Sequence, residues 1–437
     1  MYWIWIVISL SYFLHNVQVE GKKGFGPGEQ EWGYVTVRPS AHIFWWLYYV
    51  NPPTESTTFN VFEKPLLIWL QGGPGASSTG YGNFEELGPL DVNLQNRNYT
   101  WVNDYNVLFI DNPVGTGFSY VDLQSAYTDN NRQIAEDLVE CIRGFYNKIP
   151  QFKKVPVYIT AESYGGKMAA EFALLWYQAQ KNLTIDSNLK GVALGDSWIS
   201  PIDSVLSWAP FLLHTGMIDT QGFETIQEAA LLTKKAVDAK SWHEATKYWS
   251  YTENVILQVT ENIDFYNILE ETRPKSLRRY LPGVATVDIK ANNDYLLDNL
   301  MNTKVKTALG LEKNWSMQSS NVFQTLSGDF MKPVTNIVER LLNETDLQIF
   351  IFTGQLDLIV ATPGTLAWVE NLNWQYIEAW KNTSRIALSV DNIIEGYIKE
   401  YKNLKMYWIN RSGHMVPRDN PYATSKMLKD LTSAALK

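Results

Sequence analysis

The sequence predicts an α/β fold: a mostly parallel central sheet covered by helices on both faces, with a helical insertion. Three observations predict it. First, short apolar runs recur at residues 64–70 (KPLLIWL), 107–111 (VLFID), 157–160, 189–195 (LKGVALG), 347–353 (LQIFIFT) and 404–409 (LKMYWI). Strands that are apolar throughout are buried on both faces. Second, helical patterns alternate with these runs, as in a parallel sheet. Third, residues 201–335 break the alternation: they are mainly helical and more polar, with charged pairs such as Lys234-Lys235 and Arg278-Arg279. A chain of 437 residues, 45% hydrophobic, is ample for one large core with an insertion or for two domains. The expected division is a signal peptide over 1–21, a first core segment over 22–200, a cap over 201–335 and a second core segment over 336–437.

In chain order, residues 2–14 (YWIWIVISLSYFL) form an apolar run of signal-peptide length, too short for an ordinary membrane span. Cleavage is expected within residues 16–21; an uncleaved anchor is the alternative. Residues 32–37 and 41–50 read as a hairpin, followed by a Pro/Thr-rich turn over 51–58. The strand at 64–70 runs into Gln71-Gly72-Gly73-Pro74-Gly75. That Gly-rich loop can supply backbone amides to an anion, but it lacks the Lys-Ser/Thr of a P-loop and the spacing of G-x-G-x-x-G. The strand at 107–111 ends at NPVGTGFS (112–119). Residues 132–149 form an amphipathic helix with Ile134, Leu138, Ile142, Phe145 and Ile149 on one face. Cys141, on the same apolar side, reads as a buried small hydrophobe.

Residues 157–168 (VYITAESYGGKM) organise the rest. A β-branched run is followed by Ser163, two glycines and a helical pattern from Lys167. This is the pattern of a nucleophile elbow, with Ala161 in place of the first Gly of G-x-S-x-G. Small residues at 161, 165 and 166 let strand and helix close around an exposed hydroxyl. Backbone N–H groups at the helix start favour developing negative charge. The later strands end at Asp196-Ser197-Trp198, at Gly354-Gln355-Leu356-Asp357 and at a loop over 410–417, before a final helix at 422–436.

Composition excludes several classes of function. Net charge is −9 with no basic block, which argues against nucleic acid. A single Cys forbids an intramolecular disulfide, and the few scattered His give no metal-ligand spacing, so no metal or other cofactor is implied. N-x-[ST] sequons at Asn98, Asn182, Asn314, Asn343, Asn382 and Asn410 agree with a secretory route, secreted or lysosomal.

A serine nucleophile needs a base, and the base needs an orienting carboxylate. In α/β-hydrolases they follow in the order Ser, Asp or Glu, His, each after a strand. Of five His, His15 lies in the expected signal, His42 precedes Ser163, and His214 and His243 lie in the insertion. Only His414 follows the last strand. Asp357 follows the preceding apolar strand; Asp391 is the rival acid, with no comparable buried strand leading into it.

Six segments then match one family: QGGPGASS (71–78), FEELGPL (84–90), NPVGTGFSY (112–120), ESYGGK (162–167), GQLDLIV (354–360) and GHMVP (413–417). The sequence resembles the serine carboxypeptidase family over nearly its whole length beyond the signal, and most of all its retinoid-inducible branch. The resemblance implies an α/β-hydrolase fold and release of C-terminal residues from peptides with a free C-terminus, with acid preferred. It implies Ser163 as nucleophile, His414 as base and Asp357 as orienter. It implies an oxyanion hole from the N–H groups of Gly73 and Tyr164, and recognition of the substrate carboxylate by Gln71, Glu86 and Glu162. Clustered carboxyls share protons, and a protonated Glu can donate to a carboxylate, so binding weakens as pH rises. The chain departs from the family in having Gln71 where Asn is usual, which alters or re-spaces this network by one methylene. Ala76 stands where Cys is usual. The same fold also supports an esterase or acyltransferase, and a binding protein of low turnover is the reading from a different class. The intact Ser–Asp–His set argues against the last, and the Glu pair against the former.

Overall fold

The computed structural model describes residues 22–52, 59–270 and 289–434. The expected signal at 1–21 and the centre of the turn at 51–58 lie outside them. One sheet of eleven strands runs through the molecule. Its strands are β1 (Gln30–Arg38), β2 (Ala41–Tyr48), β3 (Leu66–Leu70), β4 (Asn106–Ile110), β5 (Tyr120–Val121), β6 (Val157–Glu162), β7 (Leu189–Gly195), β8 (Gln348–Gly354), β9 (Ile386–Val390), β10 (Ile393–Tyr401) and β11 (Leu404–Ile409). The order is β1-β2-β4-β3-β6-β7-β8-β11-β10-β9, with β5 on β2. The six central strands, from β4 to β11, are mutually parallel, and the β1–β2 and β9–β10 hairpins extend the sheet antiparallel at its two edges. This is the expected mostly parallel α/β sheet.

The apolar runs are buried because alternate side chains enter two different cores. On β3, Leu66, Ile68 and Leu70 face one, and Leu67 and Trp69 the other. On β8, Ile349 and Ile351 oppose Phe350 and Phe352 in the same way. Helices α1 (Asn131–Lys148) and α2 (Tyr164–Lys181) cover the first face. The helices at Ile289–Leu300 and Pro421–Ala434 cover the second. Cys141 sits in the first core, where burial pushes its thiol up and keeps it protonated.

Between β7 and β8 lie α3 (Pro201–His214), α4 (Thr220–Asp238) and α5 (Trp242–Val259), then shorter helices. Among the described residues no helix is long and apolar enough to cross a membrane. One correction concerns the end of the chain. The strand that directly precedes β11 in sequence is β10, not β8. The β9–β10 hairpin turns on Asp391 and Asn392, both in the left-handed region (φ 49° and 65°). Asp391, the rival acid, is therefore a hairpin-turn residue at the sheet edge. Because β8 and β11 are direct parallel neighbours, the loops carrying Asp357 and His414 still leave the sheet side by side.

Candidate active site

Four loops at the C-terminal ends of parallel strands converge, the usual place for a site in such a sheet. Ser163 joins β6 to α2 with φ 61° and ψ −131°. A non-glycine residue there costs about 1–3 kcal/mol. It is held by three hydrogen bonds. Ser163 N–H donates to the Gly195 carbonyl (3.0 Å), and Trp198 N–H and Gly166 N–H donate to the Ser163 carbonyl (2.9 and 3.0 Å). Ala161, in place of the first Gly of the elbow pattern, is the penultimate residue of β6. Gly72 abuts the elbow: a Cβ there would lie 2.5 Å from Ser163 Cβ and 3.0 Å from its Oγ. A Gly72→Ala protein is therefore expected to fold with a displaced Ser163 and to lose about 10²-fold in kcat. Unchanged steady-state kinetics would contradict this contact.

His414, in the loop after β11, is buried, and its Nδ1 lies 2.8 Å from Asp357 Oδ2. That bond leaves Nε2 as the nitrogen available to a substrate-side proton. The loop is pinned by Gly413 N–H donating to Asp419 Oδ2 (2.8 Å) and by His414 N–H donating to the Tyr266 carbonyl (2.6 Å). The Tyr266 ring meets the imidazole edge-on at 5.2 Å. Burial lowers the pKa of His414, outweighing the nearby carboxylates, so the ring stays neutral further into acid than a free His.

Glu86 and Glu162, each open to reading as an exposed acid, are both buried. Glu162 ends β6. Glu86 lies on a π-helix over Ser78–Leu87. Gln71 joins them: its Nε2 donates to Glu86 Oε1 (2.9 Å) and Glu162 Oε1 (3.0 Å). Trp69 Nε1–H donates to Gln71 Oε1 (2.7 Å), which fixes the amide with its NH₂ toward the carboxyls. Oε2 of neither Glu has a hydrogen-bond donor among the described residues, while the two carboxyls interact directly. Burial, followed by mutual repulsion for Glu162, raises their pKa values: Glu86 to about 7, and Glu162 well above the usual carboxylate range.

Gly73 has φ 107°, and Tyr164 is the first residue of α2, so its N–H lacks an intrahelical acceptor. Of the other His residues, His42 bonds Asp122 on the β2–β5 edge and His243 bonds Ser327 in the insertion; His214 ends α3.

Sequence reading missed Trp69, Tyr266, Asp419 and Asp196. None stands in a recognisable catalytic pattern, and each acquires its place through tertiary contact. Asp196, Asp357 and His414 have donor atoms within 4.8 Å of one another and form a possible metal-ligand group among the described residues. The direct Nδ1···Oδ2 contact of 2.8 Å fills the space a bridging cation would take.

Residues 21–434 match the family model for serine carboxypeptidases. A retinoid-inducible serine carboxypeptidase from Mus musculus is 42% identical over 93% of this chain and 92% of its own. Serine carboxypeptidase-like 51 from Arabidopsis thaliana is 38% identical over 93% of each. Among solved structures, a prohormone-processing carboxypeptidase from Saccharomyces cerevisiae superposes with a TM-score of 0.78 at 23% identity, over 93% of this chain and 92% of that one, a likeness of fold.

Proposed function

The chain belongs to the serine carboxypeptidase family, and on that premise we propose how its residues divide the work. The reaction is hydrolysis of C-terminal peptide bonds. Ser163 Oγ attacks the scissile carbonyl as His414 Nε2 takes its proton. Asp357 orients the ring and stabilises the imidazolium. The Gly73 and Tyr164 N–H groups receive the oxyanion. His414 then protonates the departing amino acid, and water, activated by the same imidazole, releases the acyl group from Ser163.

The observation that carries this assignment is the Gln71 amide holding two buried carboxyls beside the elbow. Protonated Glu donates to the free carboxylate of the terminal residue, and Gln71 keeps the pair aligned. The base works while neutral, above its lowered pKa, and the Glu pair works while protonated, below about 7 for Glu86. The overlap is an acid window. Replacing Gln71 by Ala is expected to raise KM for peptides with a free C-terminus about 10-fold, a loss of about 1.4 kcal/mol. Turnover of N-blocked esters should be unaffected. A uniform loss on both substrates would contradict carboxylate recognition by this network.

We assign residues 22–200 and 336–437 to the hydrolase core and 201–335 to a cap, after a signal at 1–21 that directs the chain to the secretory pathway, secreted or lysosomal. The sequon residues Asn98, Asn182, Asn314, Asn343 and Asn382 are exposed, whereas Asn410 is half-buried four residues before His414. The first five are the expected glycan sites. Enzymatic removal of N-glycans should convert those five to Asp and leave Asn410 unchanged, and Asp at 410 would contradict this.

A further inference from the structure

Asp196 follows β7, between the strand carrying Ser163 and the strand leading to Asp357. It is a buried acid in a left-handed backbone conformation (φ 36°), and the mechanism above does not use it. Its Oδ1 accepts from Gly354 N–H at 2.9 Å. Its Oδ2 is buried with no donor among the described residues, and it lies in the group formed with Asp357 and His414.

We propose that Asp196 is a positioning residue of the proposed triad: it remains a carboxylic acid and donates its proton to Asp357, so that the two acids carry one negative charge beside His414. The donor count decides which acid holds the proton. Asp357 receives the Val360 N–H (3.2 Å), a backbone bond from Ile359 and the His414 Nδ1–H (2.8 Å). Asp196 receives a single N–H, from Gly354. Two adjacent buried carboxyls do not both ionise, and the better-solvated one takes the charge. Burial raises both acids well above the usual carboxylate range, with repulsion from Asp357 adding to the rise at Asp196, so the donors around each acid decide between them. The groups facing the pair are His414 from the β11 loop, Glu162 from β6, and Asp264 and Tyr266 from the insertion, with Arg418 and Asp419 beside His414. The donated hydrogen bond keeps Asp357 ionised in acid, where the base must still be oriented.

The inference rests on the Ser163–His414–Asp357 assignment. Its test is the pH profile of kcat on an N-blocked amino-acid ester, which has no terminal carboxylate and so removes the carboxylate-binding role of the Glu pair from the profile. Asn at 196 keeps a neutral donor, and Ala removes it. Asp196→Asn is expected to hold kcat within about 3-fold of the unmodified protein with its acid limb unmoved. Asp196→Ala is expected to move that limb up by about one pH unit, roughly a 10-fold loss at the acid end. The low-field Nδ1–H proton resonance of His414 should persist in acid in the Asn protein. If the Ala protein does not fold, the Asn protein decides by these two readouts. A large loss in Asp196→Asn, a vanished resonance, or an unmoved limb in a folded Asp196→Ala protein would overturn the proposal. A Ser163→Ala control separates the failures: residual full turnover would sink the triad assignment itself, whereas an inactive control with unmoved Asp196 variants would sink only the role of Asp196.

Discussion

Replacing Ser163 by Ala lowers kcat by about 10⁶-fold in a protein that still folds. The size follows from the role assigned: without Oγ there is no acyl intermediate, and the residual rate comes from binding and the oxyanion N–H groups. Replacing His414 by Ala should cost a similar factor, and the double variant little more, because the two act as one unit. Asp357→Asn should cost about 10⁴-fold, since the amide no longer holds the Nδ1–H tautomer. The backbone adds a stability signature. Ser163 sits at φ 61°, so Ser163→Gly should raise the melting temperature while abolishing turnover. Steady-state kinetics, thermal melts and labelling by a serine-directed phosphonate check these points. Labelling elsewhere, or a Ser163→Ala protein with near-full activity, would remove Ser163 from the chemistry.

The second large effect concerns the carboxyl pair. Removing both side chains, Glu86→Ala with Glu162→Ala, should lower kcat/KM for free-acid peptides by about 10²–10⁴-fold, from about 1.5–3 kcal/mol for each charge-assisted hydrogen bond. Ester turnover should change far less. Gln at either position keeps a donor at every pH, so Glu86→Gln should move the alkaline decline of kcat/KM upward from about 7, with acid activity retained. The same raised pKa bears on stability. Glu86 binds its proton more tightly folded than unfolded, so its contribution is fully present below the unfolded value near 4.5 and is lost as pH rises through about 7. Thermal melts between these values should show stability falling with pH, and a flatter slope in Glu86→Gln. An identical slope in the two proteins would contradict the raised pKa.

The proposed triad could be assembled from the sequence because few residues compete for it. Five His, a fixed chain order and strands that announce themselves by apolar runs leave His414 as the base and favour Asp357 over Asp391. The parallel strands were legible because burial on both faces removes polar residues from them, as in the wholly buried LLIWL of β3. The β9–β10 hairpin was not, because an edge hairpin is half-exposed and its polar residues blur the alternation: Ile386 and Ile393 face outward while Glu395 is buried. Its one local signal is Asp391-Asn392, a pair suited to a two-residue turn with positive φ. Gln71, Glu86 and Glu162 could be singled out only through the family resemblance, since nothing local distinguishes a buried proton-sharing Glu from a solvated one. The orientation of the Gln71 amide by Trp69, and the place of Asp196 against Asp357, depend on which strands become neighbours.

The most direct test of the account is release of the terminal amino acid from N-blocked dipeptides, scanned upward from about pH 4.5, beside C-terminally amidated twins and the Ser163→Ala protein. Release confined to the free acids, strongest in acid, declining near the Glu86 value and absent in Ser163→Ala, is the predicted result. Equal turnover of the amidated twins across the whole range would contradict recognition of the substrate carboxylate by Gln71, Glu86 and Glu162.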